Sequence, residues 1–472
     1  MNNKQKVKAI LQNIKKPHIH FIGIGGKGLN GLAMYCLKKG MVVSGSDTSS
    51  GKEISNIIEA GGVVFDAHDS SNISVGVDVI VHSSIIREDN PEILSANDLN
   101  IPVLKRSELL GLIMDQHNVK VSVAGSHGKS TTTALCGLAL LGNGGNPTIF
   151  DGAYIKELDA YEHVGEGRYV VAEACEYDKS FMDLISDITI ITAIEKSHME
   201  YYKTEEQMID AFKDFISSHS SDAVIIANGD NNKILDCLSC AKATVETFGF
   251  NENNSYIIKN VRYSNNGSYF DIYYYDTCIA RNIFILIPGD YNVYNFVATV
   301  VMMHVLDLDL GSIYNIGKTF QGVGRRFEVS SVSNDLIFID DFCHHPTQVK
   351  NLFFGIHQLF PDKKVCAVFQ PRQFHLMKTF LKEYGEAFSG ADSVIVTDIV
   401  PALGDTEFDK KSLRSSDIID SIKKYSNKNE VSYMSNFTDI VSSIRKSMNK
   451  DWVVATIGAG DIYKIKDMYV HG

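Results

Sequence analysis

Residues 119–131 read Val119-Lys120-Val121-Ser122-Val123-Ala124-Gly125-Ser126-His127-Gly128-Lys129-Ser130-Thr131, and the helix-forming run TTALCGLALL follows. The order is a strand, a glycine-rich turn and the start of a helix. The first N–H groups of a helix have no partner within it and point outward, so this arrangement cradles a polyphosphate. Lys129 would reach the outer phosphates, and Ser130 would offer its hydroxyl to the magnesium that travels with them. The loop is shorter than the usual Gly-x-x-x-x-Gly-Lys-Ser, because the first glycine of that spacing falls on Val123.

Upstream, the apolar run from Ile19 to Ile24 leads into the turn GIGGKG, a helical stretch LNGLAMYCLKKG and a second apolar run, MVVSGSD. That is a βαβ unit. Gly23, Gly25 and Gly28 take the Gly-x-Gly-x-x-Gly spacing with Gly26 between them, and Asp47 ends the second strand close to where a ribose-binding acid is expected. The pattern fits a dinucleotide or another pyrophosphate-linked nucleoside. Later runs, VDVIVHSS and IPVLK, alternate with helical stretches, so a parallel, helix-covered sheet is expected. A chain with two nucleotide sites needs a reaction in which both ligands take part, whereas a nicotinamide-dependent dehydrogenase needs only the first.

Downstream, YVVAEACEYD, ITIITAIEKSH and AVIIANGD are apolar strands ending in polar or acidic residues, which is where ligands gather in parallel sheets. Glu173, Glu176 and Asp178 follow one such strand, and His198 follows another. Hard oxygen ligands suit magnesium, and Glu173 near Lys129 and Ser130 can place the ion between terminal phosphates. His198 is a less usual magnesium ligand, with a structural or substrate-orienting role as the other reading. Between about residues 242 and 290 short β-rich runs suggest a hairpin insertion, a helix from Tyr291 to about Leu308 follows, and from about Gly324 strands and helices alternate again. Asn292, Asn295, the pair Arg325-Arg326 and the cluster Asp340-Asp341-Phe342-Cys343-His344-His345-Pro346 lie in this part. Taken singly, they are helix caps, a solvated basic pair and a turn.

At 472 residues the chain exceeds one core, and about 150 residues per domain gives about three. A net charge of −12 argues against a nucleic-acid partner, which needs a basic face. No stretch approaches the roughly 18 apolar residues of a membrane helix, and the lysine-rich start lacks an apolar signal core, so a cytoplasmic protein without a membrane partner is expected. The eight cysteines lie in apolar segments and read as reduced core residues, with Cys237 and Cys240 as ordinary helix positions in place of a zinc site. Oligomeric state, monomer or homodimer, is not written in the sequence.

The motifs HIHFIGIGGKGLNGLA with VVSGSD, then AGSHGKSTTT, AEACEYDKSF, IEKSHMEYY, DYNVYN, GVGRRFE, DDFCHHPT and TIGAGDI occur in one order. In that order the chain resembles the Mur ligases, nearest to their alanine-adding members, from about residue 18 to residue 465. The resemblance implies an α/β protein of three domains: a Rossmann-like N-terminal domain for a UDP-sugar (1–116), a central P-loop ATPase-like domain (117–323) and a Rossmann-like C-terminal domain (324–472) closing over the nucleotide. It further implies ATP and Mg2+, with UDP-N-acetylmuramate and L-alanine as small-molecule substrates. Gly125, Ser126, His127, Gly128, Lys129, Ser130 and Thr131 would form the phosphate loop. Ser130, Glu173 and His198 would hold metal, and Asn292 and Asn295 would lie near adenine. Arg326 and Asp341 would contact phosphate and ribose. Gly23, Gly25, Gly26, Gly28, Asp47 and Ser83 would face the UDP-sugar, with His344, His345 and Arg372 bordering the incoming amino acid.

Several positions depart from the family pattern. Ser126 and Ser130 stand for threonines, Cys175 and Ser197 for aspartates and Ala193 for an asparagine. Phe369-Gln370-Pro371-Arg372-Gln373-Phe374-His375 replaces FQPHRYTRT, so Arg372 is displaced by one position from the usual first arginine and the second has no match. The rival readings are a family member that reloads a recycled peptide, the dehydrogenase, which leaves GSHGKS unused, and a non-catalytic nucleotide-binding regulator.

Overall fold

The computed structural model describes residues 2–332, 336–402, 405–426 and 430–472. Two compact units are present: Met1–Lys196 with Glu206–Ile257 and Val297–Ser312, and Ser197–Glu205 with Ile258–Phe296 and Ile313–Gly472.

The first unit opens with five strands, β1 (His18–Ile22), β2 (Val42–Ser46), β3 (Val63–Phe65), β4 (Val79–His82) and β5 (Val103–Lys105), all parallel and ordered β3-β2-β1-β4-β5. The strand order reverses between β1 and β4. A crevice forms outside the carboxyl ends of strands at such a switch point, and the turn Gly23–Gly28 and Ser83 both lie there. The next strands are β6 (Val119–Ala124), β7 (Thr148–Ile155), β8 (Ala160–His163), β9 (Tyr169–Ala174), β10 (Ile188–Ile191), β11 (Val224–Asn228) and β12 (Thr244–Gly249). They run in the order β12-β11-β10-β6-β9-β7-β8, parallel except for β8, which turns back on β7. Ala124 pairs in register with Ala174 of β9 and Ile191 of β10, so three strand ends finish level.

The central strands β6, β9 and β10 are buried almost throughout, the pattern of strands covered on both faces. Val121, Val123, Ile190 and Val171 are wholly buried, each contributing about 1.5–3 kcal/mol over an exposed position. The lysine-rich start forms a helix, Asn3–Asn13, capped by Asn2 and buried through Val7. Among the described residues no helix is long and apolar enough to cross a membrane.

Next along the chain, β13 (Tyr256–Ser264), β14 (Gly267–Tyr274) and β15 (Thr277–Ile285) are the expected β-rich insertion, β13 pairing with β12 and β14 and β15 forming a bulged antiparallel hairpin. The helix Asp290–Val305 follows. A second sheet is built from β16 (Glu328–Ser331), β17 (Ile337–Asp341), β18 (Lys364–Phe369), β19 (Ser393–Val396), β20 (Val431–Tyr433) and β21 (Trp452–Ile457), ordered β16-β17-β21-β18-β19-β20 and parallel save for β16. Asp341 and Phe369 both pair with Ile457, which brings the loops after β17, β18 and β21 to one edge. The three-domain α/β architecture is therefore as expected. Two details differ: the β7–β8 hairpin has no expectation behind it, and Cys240 lies in the turn beyond the helix Asn232–Leu238, with only Cys237 on it.

Candidate active site

The loop after β6 enters the helix Lys129–Gly142 through two glycines with positive φ, Gly125 at 132° and Gly128 at 83°. A Cβ on Gly125 would meet Thr192 Oγ1 at 2.3 Å, so no larger residue fits that approach. The loop is sewn to the end of β10: Ser126 N donates to Ala193 O (2.8 Å), Ser126 Oγ donates to Glu195 O (2.8 Å), and His127 Nε2 lies 3.3 Å from Glu195 Oε2. Lys129 Nζ folds back, donating to Gly125 O (2.5 Å) and to Glu176 Oε2 (2.9 Å). Burial works against the Lys129 ammonium, but Glu176 foremost, with Cys175 and Glu173, outweighs it and moves its pKa up. Ser130 Oγ donates to Glu173 Oε2 at 3.0 Å, and the same oxygen takes the Gly152 N–H at 3.0 Å. A Cβ on Gly152 would lie 2.5 Å from that carboxylate, so β7 supplies a bare backbone edge there. Ser130 and Glu173 are hard oxygen donors side by side, a set that fits a magnesium ion.

Cys175, in the place of the family aspartate, is a thiol whose pKa burial first, then Glu176, pushes up to about 11. It stays protonated at neutral pH and does not replace the missing carboxylate. Two further residues belong with this group and were not singled out as site residues by sequence. Glu176 is one; it is wholly buried against Lys129. The other is Arg106, at the start of the helix following β5, whose Cδ and Nη1 would lie 3.1 and 3.2 Å from a Cβ on Gly28. A basic residue directly after a strand was the available signal for Arg106.

At the N-terminal glycine turn, Gly23 takes φ 83° and Gly26 caps the helix Lys27–Lys38. Asp47 is committed to the turn itself: Oδ2 accepts from Gly25 N (2.8 Å) and Oδ1 from Ser49 N (2.9 Å) and Ser49 Oγ (2.6 Å). Burial opposes its ionisation, yet these bonds hold its carboxyl below the usual range. Lys27 Nζ stands 5.9 Å over the Tyr161 ring.

In the second unit, Asn292 Nδ2 donates to Pro288 O (2.7 Å) and Asn295 Nδ2 to Asn292 Oδ1 (3.3 Å). Asp341, buried, accepts from Phe327 N on Oδ2 and from Cys343 N on Oδ1, both at 2.8 Å, and burial raises its pKa against the pull of Arg326. The basic pair divides its work. Arg325 is clamped by Asp340 (2.9 Å), Gly460 O (2.8 Å) and Gly458 O (2.8 Å), whereas the Arg326 guanidinium lies 5.1 Å from the Phe342 ring. His345 caps the helix Pro346–Leu359 through Nδ1, which accepts from Thr347 N at 3.3 Å. His344 Nδ1 lies 3.3 Å from Phe342 O, and Arg372 Nη1 donates to Ala459 O at 3.0 Å. His198 starts the short helix Met199–Tyr202.

A glycine-rich loop with an adjacent lysine, a hydroxyl–carboxylate pair behind it and a second glycine turn at a strand-order switch place this chain among the α/β proteins built on parallel sheets with glycine turns at their strand ends. Family descriptions match along the chain: Mur ligase family, catalytic domain over residues 18–118, Mur ligase middle domain over 123–303 and Mur ligase, glutamate ligase domain over 325–460. The chain belongs to the Mur ligase family. It is 33% identical over 457 residues to the UDP-N-acetylmuramate--L-alanine ligase of Caldanaerobacter subterraneus subsp. tengcongensis, covering 97% of this chain and 98% of the relative. The protein of the same name in Clostridium acetobutylicum is 33% identical over 463 residues, covering 98% and 99%. Among solved structures, a UDP-N-acetylmuramate-alanine ligase of Thermotoga maritima superposes with a TM-score of 0.80 at 24% identity, covering 96% of this chain and 98% of the other. A murein peptide ligase of Psychrobacter arcticus gives 0.70 at 18% identity, with the same coverage.

Proposed function

We propose that this chain joins L-alanine to the lactyl carboxylate of UDP-N-acetylmuramate at the expense of ATP, in the cytoplasmic synthesis of peptidoglycan precursors. As a Mur ligase it is an ATP-dependent, amide-bond-forming enzyme acting on small molecules. The observation that carries the site reading is the junction behind β6, where Lys129 is held by Glu176 and the next residue, Ser130, by Glu173.

A carboxylate is a poor acyl donor because its leaving group would be oxide. In the proposed reaction a lactyl carboxylate oxygen attacks the γ-phosphorus, the bond to the β–γ bridging oxygen breaks, and ADP leaves behind an acyl phosphate. The alanine nitrogen then adds to the acyl carbon, loses a proton, and phosphate departs as the amide forms. Lys129 neutralises charge on the moving phosphoryl group, and such preorganised charge is worth about a hundredfold or more in turnover. Ser130, Glu173 and His198 would hold Mg2+, which when bound supplies further positive charge at the phosphates. Asn292, Asn295, Arg326 and Asp341 are assigned to ATP. Gly23, Gly25, Gly26, Gly28, Asp47 and Ser83 are assigned to the UDP-sugar, and His344, His345 and Arg372 to the amino-acid end. The domain boundaries that go with this reading are 1–116, 117–323 and 324–472.

The test is phosphate release from ATP with UDP-N-acetylmuramate present and alanine, serine, glycine or a tripeptide supplied in turn. Release that requires alanine is expected. Release that requires the tripeptide, or none with any acceptor, overturns the assignment.

A further inference from the structure

Within the second unit, the helix Met199–Tyr202 is bracketed by two non-glycine residues with positive φ, His198 at 53° and Lys203 at 61°. A third, Gln373 at 67°, sits in the loop after β18. Such backbones persist only where the surroundings over-determine them, and they gather at functional sites. The three are joined through Glu200: its Oε1 lies 3.2 Å from His198 Nδ1, its Oε2 accepts from Gln373 Nε2 at 2.8 Å, and its backbone carbonyl accepts from Lys203 Nζ. Gln373 is itself pinned, its N–H on Val400 O (2.9 Å) and its carbonyl receiving Met377 N (3.1 Å).

We propose that Glu200 is a positioning residue for His198, and that Gln373, reaching over from the C-terminal domain, holds Glu200 in that role. The chemistry follows from the acceptor-only character of an ionised carboxylate. With a carboxylate oxygen 3.2 Å away, Nδ1 of His198 is the ring nitrogen placed to donate, which leaves Nε2 as the one that can face a metal. A metal-bound histidine uses this arrangement: a carboxylate on one ring nitrogen fixes tautomer and orientation for the other, and its loss typically weakens metal binding 10- to 100-fold. The proposal also gives the altered FQPRQFH segment a task. Gln373, at the place of the family's first arginine, contacts the Glu200 side chain, so it is tied to the histidine segment.

The inference rests on the reading of His198 as a metal ligand, and the experiment separates the two. Mn2+ binding to the full chain in the presence of ADP is followed by electron paramagnetic resonance for the wild type, His198→Ala, Glu200→Gln, Gln373→Asn and the Glu200→Gln/Gln373→Asn double variant. Asparagine tolerates positive φ and lacks one methylene, so it removes the bond while keeping the backbone; thermal melts check that each variant is folded. Expected are about tenfold weaker Mn2+ binding for each single variant and a double variant within about twofold of the singles. The 15N resonances of histidine-labelled protein should shift at His198 in Glu200→Gln without any metal. Unchanged Mn2+ affinity in His198→Ala removes the premise. Weaker binding in that variant, with Glu200→Gln and Gln373→Asn both unaffected or their effects multiplying in the double variant, overturns the positioning role. A raised KM for the amino acid alone in Gln373→Asn, at wild-type Mn2+ affinity, also overturns it.

Discussion

The Lys129 ammonium lies 2.9 Å from the Glu176 carboxylate, and Glu176 is wholly buried. The phosphate loop therefore carries the counter-charge of its own lysine, and phosphates bound there must share Lys129 with an anion of the protein. Breaking a buried pair from one side leaves an uncompensated charge, which costs about 3–5 kcal/mol.

Lys129→Ala should lower turnover by at least about a hundredfold and also destabilise the folded chain by several kcal/mol. The double variant Lys129→Ala/Glu176→Gln should recover most of the stability and none of the turnover. Urea unfolding and phosphate release measure the two separately. Equal stability of the single and double variants would show that Glu176 does not sense Lys129.

Ser130 Oγ and Glu173 Oε2 are 3.0 Å apart. Ser130→Thr keeps the hydroxyl and should leave the Mg2+ requirement within about twofold, whereas Ser130→Ala and Glu173→Gln should each raise half-saturating Mg2+ by about tenfold or more, at least the effect of losing an outer-shell partner. A Mg2+ titration of ATP turnover checks this, and an unchanged curve for Glu173→Gln would remove that residue from the metal site.

Only the thiolate of a cysteine reacts with alkylating agents. With its pKa pushed up to about 11 by burial, Cys175 should react about a hundredfold more slowly at pH 8 than an unperturbed cysteine, and should gain reactivity as pH rises toward that value. Mass spectrometry of the alkylated native chain reads the rate at this one position. Fast labelling at pH 8 would contradict the raised pKa of the thiol. Cys175→Asp should then restore an acid beside Glu176 and increase Mn2+ affinity.

Asp47 has a folded pKa below its unfolded value, so its contribution to stability is present above the unfolded pKa, about 3.9, and is lost as pH falls through the folded value. Asp47→Asn should cost about 1 kcal/mol at pH 7, lose that difference from the wild type under acid, and raise the KM for the nucleotide sugar by loosening Gly25. Thermal melts from pH 2 to pH 7 test the first part. A pH-independent difference would mean that the carboxylate charge is not what holds the turn.

Much of this site could be read along the chain because its parts are local. Gly125, Gly128, Lys129 and Ser130 lie within six residues, and a tight turn into a helix demands that order wherever it occurs. The strand end bearing Glu173 was legible for the same reason, since an apolar run that stops at an acid marks the edge of a buried strand, whereas His198 stands beyond β10 at the start of the helix Met199–Tyr202. Glu176 was named among the acids but its role was not, because nothing in EACEYD says which carboxylate turns inward to a lysine 47 residues earlier. Arg106 and Gly152 went unread altogether: each acts on a residue that only the strand order brings near. Asp47 was read on spacing as a ribose-binding acid; that its oxygens also accept from Gly25 and Ser49 and brace the turn is not announced by the spacing.

What sequence alone determined is the catalogue of local devices: a phosphate loop, a second glycine turn, parallel strands and the motif order of a Mur ligase, each encoded within a dozen residues by steric and hydrophobic rules. Tertiary structure decided which polar and charged side chains face each other. Lys129 with Glu176, Ser130 with Glu173 and Glu200 with Gln373 are separated by 47, 43 and 173 residues, and electrostatic pairing depends on distance in space, which the register of strands and the path of loops set and the linear order leaves open.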